Sequence, residues 1–82
     1  MSGQQLEVSA VSACIESELE NYEALLEGQQ ATDIHRLVMD QAERAVINYA
    51  LRRVQGNQSQ AACMLGISRG TLRKKVREYE LG

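Results

Sequence analysis

Four cations stand within seven residues near the end of this 82-residue chain: Arg69, Arg73, Lys74 and Lys75, in the run GISRGTLRKK. Arg77 follows two residues later. The chemistry open to such a cluster is recognition of a polyanion. A guanidinium presents paired donors that match a guanine edge or a phosphate, and an ammonium is a compact charge suited to phosphate. The surrounding chain has a net charge of −2, so these cations are concentrated against the overall balance. Residues 1–51 hold two basic residues, Arg36 and Arg44, against nine acidic ones. Residues 52–82 hold seven basic residues against two acidic ones, Glu78 and Glu80. An acidic total thus hides a basic end, an asymmetry that suggests a polyanionic partner.

Little else in the chain has the types or spacing for chemistry. Cys14, Cys63 and the single His35 cannot make a zinc ligand set, and the cysteines have no paired spacing. They read as two small buried thiols in a reducing compartment. His35 has no Ser or Cys partner at a catalytic spacing and reads as a surface or partly packed residue. No enzyme active site, cofactor or metal is expected. The opening MSGQQLEVSA lacks the basic and apolar regions of a signal peptide, and no run of 18 apolar residues is present to span a membrane. The chain has no Phe or Trp, which argues against base stacking and so against single-strand or RNA binding.

The elements that must position the cations all read as helices. There is no Pro, and 44% of residues are hydrophobic. A first helix is expected over about residues 8–27, where Val8, Val11, Ile15, Leu19, Tyr22 and Leu26 recur at spacings of three and four. Glu16, Glu20, Glu23 and Glu27 lie off that stripe, facing solvent, and Gly28 suits the left-handed turn that ends a helix. A second helix is expected over about 33–55, capped by Thr32 or Asp33 and stopped by Gly56. Gln41, Arg44, Asn48, Arg52 and Gln55 make one polar stripe on it, and apolar residues cover most of the rest. A helix apolar nearly all round must be buried nearly all round, and so small a chain has little to cover it with. We therefore expect a second copy: a homodimer whose first two helices form a bundle core.

A short third helix is expected over about 58–65, with Asn57 as N-cap and Gln60 at the capping-box position. Ala61, Ala62 and Leu65 make its inner face. A fourth is expected over about 69–79, capped by Ser68, with Gly66-Ile67-Ser68 as the turn between them. This is helix-turn-helix grammar. On the last helix Leu72, Val76 and Tyr79 face the protein, while Gly70, Lys74 and Arg77 fall opposite, flanked by Arg73 and Thr71. Such a face fits a DNA major groove entered N-terminus first, with Gly70 removing a side chain at its centre. Arg69 is the candidate for a bidentate guanine contact and Lys74 for base or phosphate. Thr71, Arg73, Lys75 and Arg77, with Asn57 and Ser59, are candidate phosphate contacts.

The stretch GNQSQAACMLGISRGTLRKKVREYEL closely resembles the C-terminal helix-turn-helix of the Fis (factor for inversion stimulation) family, a module that also ends the NtrC-type enhancer-binding activators. The Fis likeness runs back through NYEALLEGQ, LV and the second helix, over roughly residues 11 to 82. It implies an all-α, intertwined homodimer of four-helix subunits: a short flexible N-terminus over 1–10, dimerisation helices over 11–55, and a DNA-binding unit over 56–82. It implies a cytoplasmic, nucleoid-associated bacterial regulator that binds double-stranded DNA with broad sequence tolerance and bends it. The two recognition helices of the family are closer than one turn of straight B-DNA, so bending and a compressible A/T-rich centre supply part of the specificity. Carried over by position, Asn57, Arg69, Thr71, Arg73, Lys74 and Lys75 touch DNA, Arg69 reads a base, and Ser59 keeps the hydroxyl of a threonine. Gly56 and Gln58 match a turn that touches RNA polymerase, although that turn departs from the family at Arg52 and Gln55.

Other departures lower the positive charge. Gln60, Ser68 and Glu78 stand where the best-known member has arginine, asparagine and lysine, so weaker binding with a shallower salt dependence is expected. About ten residues precede the first helix, with no hairpin signal, and stimulation of a DNA invertase is not expected. Two other readings compete. One is the terminal DNA-binding module of an enhancer-binding activator, disfavoured by the initiating Met and the absence of a GxxxxGK[ST] loop. The other is a helical scaffold that dimerises without DNA, whose activity would survive neutralising Arg69 and Lys74.

Overall fold

A computed structural model of the chain describes residues 8–81, with the side chain of Val8 left aside. Among these residues there are four helices and no strands: α1 Val8–Leu25, α2 Ile34–Arg53, α3 Gln58–Leu65 and α4 Arg69–Glu78. The all-α expectation is met, with α1 and α2 each ending two residues early and α4 one. The segment before α1, expected to be short and flexible, lies outside the described residues as far as residue 7.

The chain divides into two compact units, Met1–His35 and Arg36–Gly82. In the first, Ile15, Leu19, Tyr22 and Leu26 are the less exposed residues of the α1 stripe, and the intervening glutamates are exposed. Glu27 and Gly28 then take positive φ of 53° and 90°. Asp33, before α2, also has a left-handed φ of 58°, not the extended backbone usual for an N-cap.

The second unit holds nearly all of α2 with α3 and α4, and it contains the buried core. Ile47, Ala50 and Leu51 come from α2, Ala61 and Ala62 from α3, and Leu72 from α4. Val54, Leu65, Val76, Tyr79 and Leu81 pack around them. Ala50, Ala61 and Leu72 have no exposed surface at all. Two fully buried alanines on different helices leave room for close helix approach, the role read from Ala61 and Ala62. So α2 forms the floor of the helix-turn-helix in addition to the dimer face expected of it.

That floor uses only one side of α2. Met39, Val46 and Tyr49 are each about half exposed, and Ala42 and Ala45 are exposed beside them. The helices that fold back over α2 therefore leave its second apolar side open. Cys14 and Cys63 correct an expectation, since both are exposed free thiols. Cys63 follows Ala61 and Ala62 directly on α3, and the helical turn carries it off their inner face.

Candidate nucleic-acid interface

The interface is built by two capped helix starts and the turn between them. Asn57 is extended (φ −74°, ψ 102°), and its Oδ1 accepts from the backbone N–H of Gln60 at 3.1 Å. This fixes the start of α3 and leaves the side-chain NH₂, the donating end, for a partner. The reciprocal half of the expected capping box is taken by backbone instead: the Asn57 N–H donates to the Val54 carbonyl at 3.1 Å.

Gly66 ends α3 with φ 78°. Its N–H donates to Cys63 O at 3.2 Å, and that of Ile67 donates to Ala62 O at 3.1 Å, the paired bonds of a Schellman turn. The same pairing ends α2, where Gln55 (φ 56°) and Gly56 (φ 85°) are both left-handed. The expected stop at Gly56 is thus the second residue of a turn that opens at Gln55.

Ser68 caps α4. Its Oγ accepts from the Thr71 N–H at 3.0 Å and donates to Thr71 Oγ1 at 2.8 Å. Thr71 thus accepts from the cap and keeps its own hydroxyl hydrogen for a further acceptor. Arg69, Gly70, Thr71, Arg73, Lys74 and Arg77 are exposed, as are Gly56, Asn57 and Ser59, while Gln58 is half-buried. A Cβ built on Gly70 would meet nothing within 4 Å, and its φ lies outside the left-handed region. The protein itself therefore places no demand for glycine there. The exposed face of α4 carries Arg73, Lys74 and Arg77, with no side chain at Gly70.

Lys75 is placed differently from its neighbours. It is half-buried, and its Nζ donates to Glu43 Oε1 at 3.1 Å. The same carboxylate oxygen accepts from the Tyr79 hydroxyl at 2.5 Å, with Asp40 Oδ1 at 3.5 Å from that hydroxyl. The Arg44 guanidinium lies over the Tyr79 ring, 5.1 Å from its centroid. The hydrogen bond from Tyr79, then that from Lys75, holds the Glu43 carboxyl below its ordinary value. The Tyr79 hydroxyl is pushed up to about 12, first by its bond to Glu43 and then by burial, and Lys75 is raised by the same carboxylate.

Sequence reasoning missed this cluster. By sequence Arg44 belongs to the polar stripe of α2, and Asp40 and Glu43 carry no expected role. A signal was present, because Asp40, Glu43 and Arg44 lie on the same side of α2 as Ile47, Ala50 and Leu51, one to two turns earlier. The floor turns polar just where the C-terminal half of α4 crosses it.

Residues 38–79 match the sequence model described as "Bacterial regulatory protein, Fis family". The chain is 43% identical over 65 residues to the DNA-binding protein Fis of Actinobacillus succinogenes, covering 79% of this chain and 66% of that one. It is 43% identical over 68 residues to DNA-binding protein Fis of Haemophilus influenzae, covering 83% and 69%. With the protein of that name from Vibrio cholerae it shares 42% identity over 65 residues, covering 79% and 66%. The aligned part thus spans about two thirds of the length of these curated relatives. The family match takes in α3, its Schellman turn, the Ser68 cap and α4 with its outward cations, together with most of the α2 floor. On both the match and the identities, this chain belongs to the Fis family of bacterial regulatory proteins.

Proposed function

We propose that this protein is a homodimeric, nucleoid-associated regulator of the bacterial cytoplasm that binds double-stranded DNA with broad sequence tolerance and bends it. The observation that carries the reading is α4: five cations on a ten-residue helix, four of them exposed, around a glycine the fold does not need. Arg69, one residue past the cap, reaches beyond the helix start to a guanine edge. Lys74 and Arg77 flank Gly70 on the outer face and, with Arg73 and Thr71, contact phosphate. Asn57 and Ser59 bring the start of α3 to the same backbone, where the positive end of the helix dipole adds to the attraction.

The homodimer is supported by the open side of α2. Met39, Ala42, Val46 and Tyr49 recur at spacings of three, four and three, the seam of a helix that packs on another. Sedimentation equilibrium of the wild type against Val46→Glu checks it, with a dimer expected for the first and a monomer for the second. Gly56 and Gln58, on the rim of the DNA unit, are the surface we assign to RNA polymerase. Catalysis is not proposed for any residue.

Fluorescence anisotropy tests the DNA reading directly. Two duplexes with the same guanine-bearing ends, one with an A/T-rich centre and one with a G/C-rich centre, are titrated at two salt concentrations. Tighter, salt-sensitive binding to the A/T-rich duplex supports a dimer that reads minor-groove compressibility. Equal binding to both removes the bending part of the proposal. No binding to either at low salt removes the DNA function.

A further inference from the structure

The geometry points to Glu43 as a positioning residue for the recognition helix, one that also holds Lys75 away from the DNA backbone; the inference rests on the DNA reading above. Two residues one turn apart on α4, Lys75 and Tyr79, donate to the same Glu43 oxygen. Asp40 and Arg44 engage Tyr79 from either side of Glu43 on α2. The first half of α4 is seated by the buried Leu72, and the second half by this polar cluster. Together they set the tilt at which the outer face meets a groove.

The cluster also divides the cations of α4 into two kinds. Arg69, Arg73, Lys74 and Arg77 are exposed, whereas Lys75 is half-buried and ion-paired. A phosphate oxygen reaching for Lys75 must displace a carboxylate that repels it. Phosphate contacts carry affinity but no sequence information. Glu43 therefore removes one sequence-blind contact while fixing the helix that makes the sequence-reading ones.

The test is the salt dependence of binding to a duplex of unrelated sequence, measured by anisotropy for the wild type, Lys74→Gln, Lys75→Gln, Glu43→Gln and the Glu43→Gln/Lys75→Gln double variant. Each phosphate contact contributes about 0.9 to the slope of log K against log salt. Glu43→Gln is expected to bind several-fold more tightly, with a slope steeper by about 0.9 for each bound subunit. Lys75→Gln is expected to leave the slope unchanged, and the double variant to return to the wild-type slope. Lys74→Gln should be shallower by about 0.9 for each bound subunit, which calibrates the measurement. A purely structural role for Glu43 would weaken binding without steepening the slope, and that result overturns the inference. So does a shallower slope in Lys75→Gln alone, a variant that needs no change at Glu43. Absence of wild-type binding is a separate outcome, since it overturns the DNA reading itself.

Discussion

Replacing Gly70 with alanine should strengthen the fold and weaken its function. Gly70 is the second residue of α4, with helical neighbours on both sides. Its φ is one that any residue adopts, and a Cβ there meets no atom of the protein within 4 Å. Nothing in the fold therefore opposes the methyl group. Glycine in a helix is less favourable than alanine by about 0.5–1 kcal/mol, because it loses more backbone freedom on folding. Gly70→Ala should recover about 0.5 kcal/mol, the lower end, since the first turn is less constrained than a helix interior. For a domain of this size that raises the melting temperature by about 2–4 °C.

The same methyl should stand between α4 and the floor of the groove. Forcing one carbon into a closely packed contact typically costs about 1–3 kcal/mol. Tenfold in affinity corresponds to about 1.4 kcal/mol, so DNA binding should fall roughly tenfold or more. Urea denaturation and anisotropy on one preparation give both numbers, with protein concentration held fixed because a dimer's stability depends on it. The opposed signs are the signature. An alanine variant that is more stable and binds DNA as well as the wild type would refute the close approach of α4 backbone to the groove. A variant less stable than the wild type would refute the reading of Gly70 as free of the fold.

Other perturbations follow from particular contacts. Ser68→Ala removes the Oγ that accepts from Thr71 N–H, and should cost about 1 kcal/mol in urea denaturation, the usual worth of an N-cap. Gln55→Gly replaces a side chain held at φ 56°, and should stabilise by up to about 1 kcal/mol, since left-handed backbone costs other residues roughly that much. Tyr79 is raised from 10.0 to about 12 by Glu43, so its contribution is complete below pH 10 and is lost as pH climbs towards 12. The stability gap between wild type and Tyr79→Phe should therefore close over that range. Glu43 is shifted the other way, so its contribution holds above its ordinary 4.5 and disappears as the solution is acidified below that.

Much of this fold was legible because its signals are local. The N-caps at Asn57 and Ser68 and the left-handed Gly66 are each set by a few residues, and each was read correctly. The inner face of Leu72, Val76 and Tyr79 followed from helical period alone. What could not be read was how far-apart elements meet. Glu43 and Lys75 are ion-paired across 32 positions, and nothing in either segment names the other. The exposure of Cys63 has a local cause instead, its place on α3 one residue past the inward-facing Ala61 and Ala62. The outward cations follow from helical period, whereas the ion pair that half-buries Lys75 depends on a contact with α2.

The α4 sequence is poor by the rules that make helices. It is ten residues long, has a needless glycine at its second position, and carries Arg73 and Arg77 as a like-charged pair four apart. Isolated helices of this length are marginal even with ideal sequences. Each defect lies on the outward side, and each support lies at an end or inward: the Ser68 cap, the buried Leu72, and the Glu43 cluster under Lys75 and Tyr79. The division explains why the supports are non-local. A helix whose exposed face is given over to positive charge cannot be stabilised by pairing along that face without cancelling the charge. Its stability has to come from other elements: α3 packs against it across the turn, and α2 supplies the Glu43 cluster and part of the core around Leu72. On this argument Glu78, the one acidic residue of α4, is the exception, exposed beside Lys74 and lowering the charge the helix can offer. It sits one turn beyond Lys74, where it stabilises the free helix slightly and lowers the positive potential of the exposed face.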